Sequence, residues 1–329
     1  MKTGKRGQVK SPRRKDAGGK MGRGSVSGAA GSIALPFSWQ MRLSRWLMSI
    51  YHRKDVLWLL IWVGSLLLVW GWDALFLNHP AFQKVQTGFF HTFVIAALVI
   101  VLSAVFGWLG GVGIYFLENG SRKPFYLTAT FLLNLIRSIP QIVGILIGYV
   151  LITLGIQTGA IRSTGAIIFL MAATISLFVF PEVVDLIRDR IRYFKTLDFY
   201  NAMMVCGISE WRIVNREILW KNSLAHLFNK LIAIFGVTVF LQCSIDFIIS
   251  VGLSTEVSSV NLPVTLGSLL AKIDSKQDIL AIGHTLMNPG YVSNLFFEHL
   301  QGITVAFLIV FSLLCIYKIS NGFAKRYEL

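Results

Sequence analysis

The chain alternates long apolar stretches with short polar segments. Apolar runs long enough to cross a hydrocarbon core of about 30 Å begin at Val56, and the first ends near Leu77. Because a non-helical backbone exposed to lipid would leave amide groups unpaired, each run is predicted to be a helix. The pattern predicts an all-α membrane protein with six transmembrane helices. The five further runs cover residues 88–117, 126–155, 164–187, 223–253 and 301–320.

These runs divide the chain into a tail, a first helix, a core and a short end. Residues 1–55 form a basic N-terminal tail, residues 56–77 the first transmembrane helix, residues 88–320 a five-helix core and residues 321–329 the C-terminal tail. Residues 1–36 contain almost no large apolar side chains, so we expect them to be disordered. No apolar run follows the first basic residues closely enough for a secretory signal peptide.

Lys and Arg are distributed unequally between the two sets of connecting segments. With the N-terminus inside, the inner segments carry 25 of these residues and the outer segments carry 4. Without the N-terminal tail the ratio is still 12 to 4. Because basic residues favour the cytoplasmic side of a membrane, both termini are predicted to be cytoplasmic. The segment 190–222 is then cytoplasmic and the loop 254–300 external.

Composition supports a polytopic membrane protein. Apolar residues make up 54% of the 329 positions and charged residues only 14%, and the mean hydropathy is +0.64. The net charge of +15 is concentrated in residues 1–55, which hold 13 basic and 2 acidic residues. No nucleic-acid reading motif accompanies them, so we expect no nucleic-acid partner. A basic tail beside a membrane span favours retention on the cytoplasmic side, and it could also contact anionic membrane lipid.

The cytoplasmic segment 190–222 has the pattern of two short amphipathic helices. Gly207 is predicted to break the helical pattern, and Ser209 to cap a second helix that follows. Such a pair could enter a groove on a partner protein, or could lie as a hairpin on the inner leaflet. Apolar residues recur at helical spacing before the glycine, at Phe194, Leu197, Phe199, Ala202, Met203 and Cys206, and after it, at Trp211, Val214 and Ile218.

This segment resembles the coupling motif of ABC importer permeases, written Glu-Ala-Ala, a short spacer, Gly, and then Ile-x-Leu-Pro. Asn201-Ala202-Met203 stands where Glu-Ala-Ala would be, Gly207 falls at the motif's glycine, and Ile218-Leu219-Trp220 stands near its end. The chain departs from the motif in three ways. It has Asn201 in place of the acidic residue, Met203 in place of the second alanine, and no proline after Leu219.

The resemblance extends over residues 88–329 and is strongest to the dipeptide, oligopeptide and nickel branch of the family. That branch reads much like Tyr200-Asn-Ala, Gly207-Ile-Ser-Glu-Trp-Arg212-Ile213 and Arg216-Glu-Ile218-Leu219 in this chain. The string Arg137-Ser-Ile-Pro140 is also similar to phosphate and phosphonate permeases. A peptide-like small solute is therefore the expected substrate, with a phosphorus oxyanion as the alternative.

The resemblance implies a type I ABC importer permease fold in the cytoplasmic (inner) membrane of a bacterium. It implies a translocation path shared with a second permease subunit, cytoplasmic ATPase subunits docked on the coupling segment, and an extracytoplasmic substrate-binding protein. The second permease is expected to be a different chain. The residues that the motif places in the coupling segment are Asn201, Ala202, Met203, Gly207, Trp211, Arg212, Ile218 and Leu219.

The chain lacks the sequence motifs of an energy-converting enzyme. It has no Gly-x-x-x-x-Gly-Lys-Ser/Thr string, so we expect ATP and Mg²⁺ to bind to a partner subunit. Its histidines are scattered and its three cysteines suggest no disulfide, so no cofactor and no metal site are predicted. The loop 254–300 could dock the delivery protein or the partner permease, or could be a structural lid.

Charged residues inside the predicted spans are candidates for the translocation path. Arg137 lies about 16 Å along the third span, at 1.5 Å per residue, where a charge needs water or a partner. It could attract an anionic group of a solute, or pair with Glu182 or Asp185. Asp246, near the outer end of the fifth span, and Pro140, expected to kink the third, are the other candidates.

Two other classes of membrane protein are alternatives to an importer subunit. A secondary transporter would need internal repeats or paired broken helices, and the halves 56–155 and 164–320 show no convincing repeat. A membrane scaffold or sensor that recruits a cytoplasmic partner would fit the segment 190–222, but would not need six packed helices. Four glycines of the second run are expected to allow close helix packing, namely Gly107, Gly110, Gly111 and Gly113.

Overall fold

The computed structural model of the chain describes residues 53–120, 123–252, 262–297 and 300–327. Within these residues all regular secondary structure is helical, which confirms the predicted all-α class. The disorder predicted for residues 1–36 lies outside the described residues, as does all but the end of the 1–55 tail.

Five of the helices are long and apolar enough to cross a membrane. They are α1 (Lys54–Phe76), α2 (His79–Asn119), α5 (Thr164–Lys195), α8 (Leu224–Gly252) and α12 (Leu300–Arg326). The shorter helices are α3 (Lys123–Ser138), α4 (Gln141–Gln157), α6 (Asp198–Val205), α7 (Glu210–Arg212), α9 (Leu266–Leu270), α10 (Ile273–Met287) and α11 (Val292–Phe297). A π-helix, Ile213–Asn222, continues α7, and a short 3-10 turn, Pro289–Tyr291, precedes α11.

The predicted third span, 126–155, is two helices rather than one. Helices α3 and α4 meet at Ile139 and Pro140 with a bend of 93°. Proline has no N–H to continue the helical ladder, and it disfavours the helical conformation of the residue before it. The break therefore follows from Pro140, although its size is far beyond an ordinary kink. Counted as one span, this bent pair is a sixth candidate among the described residues.

Glycines allow α2 and α5 to pack in close contact. A Cβ atom built at Gly107 would lie 2.4 Å from Cβ of Val183, and one at Gly111 would lie 2.8 Å from Cγ2 of Ile187. Gly113, by contrast, has nothing within 4 Å. Three of the four glycines singled out in the sequence, the two above and Gly110, therefore lie against α5 as expected for close packing.

Polar contacts fasten the first long helix to the last. Helix α1 packs along α12, and Gly322 lies so close to the start of α1 that a side chain there would collide with its backbone. Buried polar groups in a membrane protein need partners, and here they find them across the two helices. The contacts are Trp62 Nε1 to Ser312 Oγ at 3.0 Å, Thr304 Oγ1 to Asp73 Oδ1 at 2.8 Å, and Arg326 Nη1 to Asp55 Oδ2 at 3.0 Å.

The described part of the loop 254–300 folds back into the bundle. It contains the short helix α9 and the longer helix α10. Thr265 Oγ1 donates a hydrogen bond to Asp246 Oδ2 at 2.5 Å, and a Cβ atom at Gly267 would lie 2.6 Å from Cα of Cys243 in α8. Asp246 is thus buried and bound to the returning segment.

Candidate functional site

The most distinctive polar feature is the elbow, which we define as residues 196–222 between the long helices α5 and α8. It comprises α6, a turn at Gly207, and α7 with the π-helix that continues it. Asp198 lies in the first turn of α6, where a negative charge is favoured by the helix dipole. The elbow leaves and rejoins the bundle through helices that are both long enough to cross a membrane.

Gly207 ends α6 in a defined turn. Its φ angle is +74°, a left-handed conformation that glycine adopts at little cost. The N–H of Ile208 donates to the carbonyl of Met203 at 3.2 Å, and the N–H of Gly207 donates to the carbonyl of Met204 at 3.0 Å. These two bonds form a Schellman motif. The predicted helix break at the glycine is therefore confirmed.

The second half of the elbow is wound more widely than the predicted α-helix. Ser209 occupies the N-cap position, but its side chain makes no capping hydrogen bond. From residue 213 the helix has π geometry, in which residues five apart lie on one face. Accordingly the pairs Ile213–Val214 and Ile218–Leu219 are buried, whereas Trp211 is more than half exposed. Of the predicted stripe, Val214 and Ile218 are buried, and Trp211, which precedes the π-helix, is exposed.

A carboxylate fastens the elbow to the bundle. Glu210, the first residue of α7, accepts hydrogen bonds at Oε1 from the hydroxyl of Tyr115 in α2 at 2.5 Å and from that of Tyr200 in α6 at 2.8 Å. The ammonium of Lys195, at the end of α5, lies 4.0 Å from the same oxygen. It also lies 4.9 Å from the ring centre of Tyr115. Three helices are thus joined through one side chain.

The electrostatics of this contact favour the ionised form of Glu210. Burial alone would raise the pKa of the carboxyl group, but hydrogen bonds from Tyr115 and Tyr200 and the charge of Lys195 outweigh it. The pKa of Glu210 therefore lies below its ordinary value. Burial likewise raises the pKa of Tyr200, so its hydroxyl keeps the proton that it donates.

An aromatic contact reinforces the same attachment. Trp211 packs edge-on against Trp108 with ring centres 6.5 Å apart, and against Phe116 at 5.3 Å. Trp108 Nε1 donates a hydrogen bond to Oδ1 of Asn215 at 3.0 Å. These contacts hold Trp211 and Asn215 of the elbow against the side of α2.

The turn itself projects a small apolar surface, which we call the tip, residues 204–207. Met204, Val205, Cys206 and Gly207 are all exposed, and Val205 is 88% exposed. A cluster of exposed apolar side chains on a rigid support is typical of a surface that contacts another molecule. The tip is therefore an exposed apolar part of the elbow, next to the exposed residues Asn201, Ala202, Trp211 and Arg212.

The residues predicted for the coupling segment divide between this surface and the core. Asn201, Ala202, Gly207, Trp211 and Arg212 are exposed. Met203 is partly buried, and Ile218 and Leu219 are fully buried in the main core cluster. The last two can therefore support the elbow but cannot touch a partner directly.

The path candidates Arg137, Pro140 and Asp246 are held in separate contacts. Arg137 forms an ion pair with Asp185, one of the two partners proposed for it, and reaches the carbonyl of Pro181 at 3.4 Å. Pro140 forms the break beside it, whereas Asp246 is bound to the segment that returns from the opposite loop.

A second ion pair lies next to that of Arg137. Glu182, one turn from Asp185, binds the ammonium of Lys230 at 2.7 Å and accepts a hydrogen bond from Gln141 Nε2 at 3.2 Å. We call Arg137, Asp185, Gln141, Glu182 and Lys230 the polar cluster. Each positive charge in it has its own negative partner.

Sequence reasoning missed the residues that attach the elbow. Tyr115 and Glu210 are 95 positions apart, and Lys195 lies at the end of another helix. Only the presence of an acidic residue directly after Ser209, at the start of a helix, gave a local signal for Glu210. Nothing in the local pattern points to Tyr115 as its partner.

No protein-family model matches the chain, and no curated protein matches it. The helices and their apolar character define a multi-pass helical membrane protein.

Proposed function

We propose that this chain is the membrane-spanning permease subunit of an ATP-driven ABC importer. It would form the translocation path together with a second, different permease, receive solute from an extracytoplasmic binding protein, and couple to cytoplasmic ATPases through the elbow. It would lie in the cytoplasmic membrane of a bacterium, with six spans and both termini inside. ATP would be hydrolysed on the partner subunit.

The observation that carries the proposal is the construction of the elbow. An exposed apolar tip at residues 204–207 sits on a support that is hydrogen-bonded to α2 through Tyr115 and Glu210. Force applied at the tip would reach α2 and α5 directly, as a coupling element requires. A hairpin that only rests on lipid would not need a carboxylate joining three helices.

The polar cluster supports a peptide-like solute more than a phosphorus oxyanion. Arg137 is paired with Asp185 and Lys230 with Glu182, so the cluster brings no net positive charge to an anion. A solute with one ammonium and one carboxylate can exchange partners with these pairs and leave every charge compensated. Phosphate would have to displace Asp185 and then face two carboxylates.

The test combines co-purification with uptake. The tagged chain is isolated from the cells that produce it, bound proteins are identified, and ATP-dependent uptake of labelled dipeptide and of phosphate is measured. We expect a P-loop ATPase in the complex, and uptake of dipeptide that is abolished by Gly207→Pro and strongly reduced by Arg212→Glu. Gly113→Ala, at an open position in α2, is the matched control. A chain that isolates alone, with uptake unchanged in both elbow variants, would refute the proposal.

A further inference from the structure

Helix α3 presents an apolar face that the rest of the described chain leaves uncovered. Leu127, Phe131 and Leu135 follow one another at intervals of four residues, and each is exposed by half or more. The opposite face packs against the bundle through Leu133 and Tyr126. The helix carries two basic residues, one near each end, and no acidic residue.

The depth of α3 can be read from what it contacts. Leu133 forms one small core cluster with Ile114 of α2 and Val184 of α5. Ile114 lies just before Glu118, where α2 ceases to be apolar, and Val184 lies just after Glu182, where α5 does so. Both marks place α3 at the boundary of the hydrocarbon core on the side of the elbow.

The direction of α3 follows from its bend. Helix α4 runs antiparallel along α5, where Cβ atoms built at Gly144 and Gly148 would collide with Phe178 and Thr174. Helix α3 is bent from α4 by 93°, so it crosses α5 steeply.

Helix α4 does not need α3 to complete a span. Its 17 residues extend about 26 Å, close to the roughly 30 Å of a hydrocarbon core. A helix with an apolar face, basic ends and a position at the polar boundary is the kind that lies in a membrane interface. Lys123, at the N-terminal end, also complements anionic headgroups, whereas Arg137 is neutralised by Asp185.

We infer that α3 is an in-plane anchor whose exposed face binds the boundary between headgroups and acyl chains on the elbow side of the membrane. The face of Leu127, Phe131 and Leu135 is a lipid-binding surface, and Arg137 then lies at this boundary, not midway across a span. The inference is independent of the transport activity proposed above.

Depth measurement with spin labels tests the inference. Single cysteines replace Leu127, Phe131 and Leu135 in a Cys206→Ser background, because Cys243 and Cys315 are buried. Each labelled full-length protein is placed in vesicles of phosphatidylethanolamine and phosphatidylglycerol. Collision with oxygen and with a nickel chelate then gives the depth of each label. Ile147, Leu151 and Leu154, exposed on α4, form the matched control series.

An in-plane helix gives nearly equal depths at the three α3 positions. In the control series the depth should be greatest at Leu151, because a spanning α4 places that residue near the middle of the hydrocarbon core. A change of about 12 Å between labels at 127 and 135 would show that α3 crosses the membrane and would overturn the inference. Labels that collide with neither reagent would show that another protein surface covers α3. Labels that collide only with the nickel chelate would show that this face of α3 is in water. Either result would also overturn it.

Discussion

The attachment of the elbow through Glu210 can be tested by removing a single hydroxyl group. Tyr115→Phe keeps the aromatic ring and its contact with Lys195, but deletes the 2.5 Å hydrogen bond to Glu210. A hydrogen bond to a charged group contributes about 1.5–3 kcal/mol. Because the Glu210 side chain is 30% exposed, water can replace part of the lost bond, and we expect a loss of about 1–2 kcal/mol.

This loss should appear as local opening of the elbow. Hydrogen–deuterium exchange at the amides of residues 203–213 reports the opening equilibrium directly. A cost of 1–2 kcal/mol corresponds to a fall in protection of about 5- to 30-fold. Amides in the middle of α5 should not change, because the bundle core does not depend on this bond.

Tyr193→Phe provides the matched control. Tyr193 is also on α5 near the elbow, but its ring is 54% exposed and its hydroxyl has no hydrogen-bond partner within the described residues. Removing that hydroxyl should leave exchange of the elbow unchanged. Equal protection in wild type and Tyr115→Phe, or equal loss in both variants, would refute the view that Glu210 holds the elbow on α2.

Three further predictions concern the turn, the pH dependence and the packing. Gly207→Ala should lower the free energy of opening of the elbow, measured by hydrogen exchange, by about 1 kcal/mol, because φ at this position is +74°. Gly207→Asn should lower it by less, since asparagine tolerates this conformation better. The pKa of Glu210 is lowered, so the elbow amides should be fully protected from exchange above the ordinary carboxyl pKa. Their protection should fall as the pH drops through the lowered pKa. Glu210→Gln should remove this pH dependence. In Gly107→Ala the new methyl group collides with Val183, so the melting temperature of the purified protein should fall, with a loss of about 1–3 kcal/mol in the free energy of unfolding. Gly113→Ala should leave the melting temperature unchanged.

The sequence was informative for features that depend on the local residue pattern of one helix. Long apolar runs predicted the five long apolar helices, and the left-handed turn at Gly207 was visible as a glycine between two amphipathic patterns. Close packing at Gly107 and Gly111 was also predictable, since small residues in an apolar helix have few other uses.

The sequence was less informative where distant segments meet. A proline predicted a kink at residue 140, but the 93° bend depends on how α3 packs against α2 and α5. From residue 213 the helix has π geometry, with Ile218 and Leu219 buried in the core, and no local pattern predicted this geometry. The partner of Glu210 is 95 positions away, so no local pattern could have identified it.

Photo-crosslinking from the tip tests the central claim most directly. A photoreactive amino acid is placed at Val205, and, as control, at Leu75, which is 79% exposed at the far end of α1. We predict that Val205 forms an adduct with a cytoplasmic P-loop ATPase in intact cells and that Leu75 does not. Absence of that adduct in cells that transport the solute, or labelling of a cysteine at position 205 from outside the cell, would contradict the account.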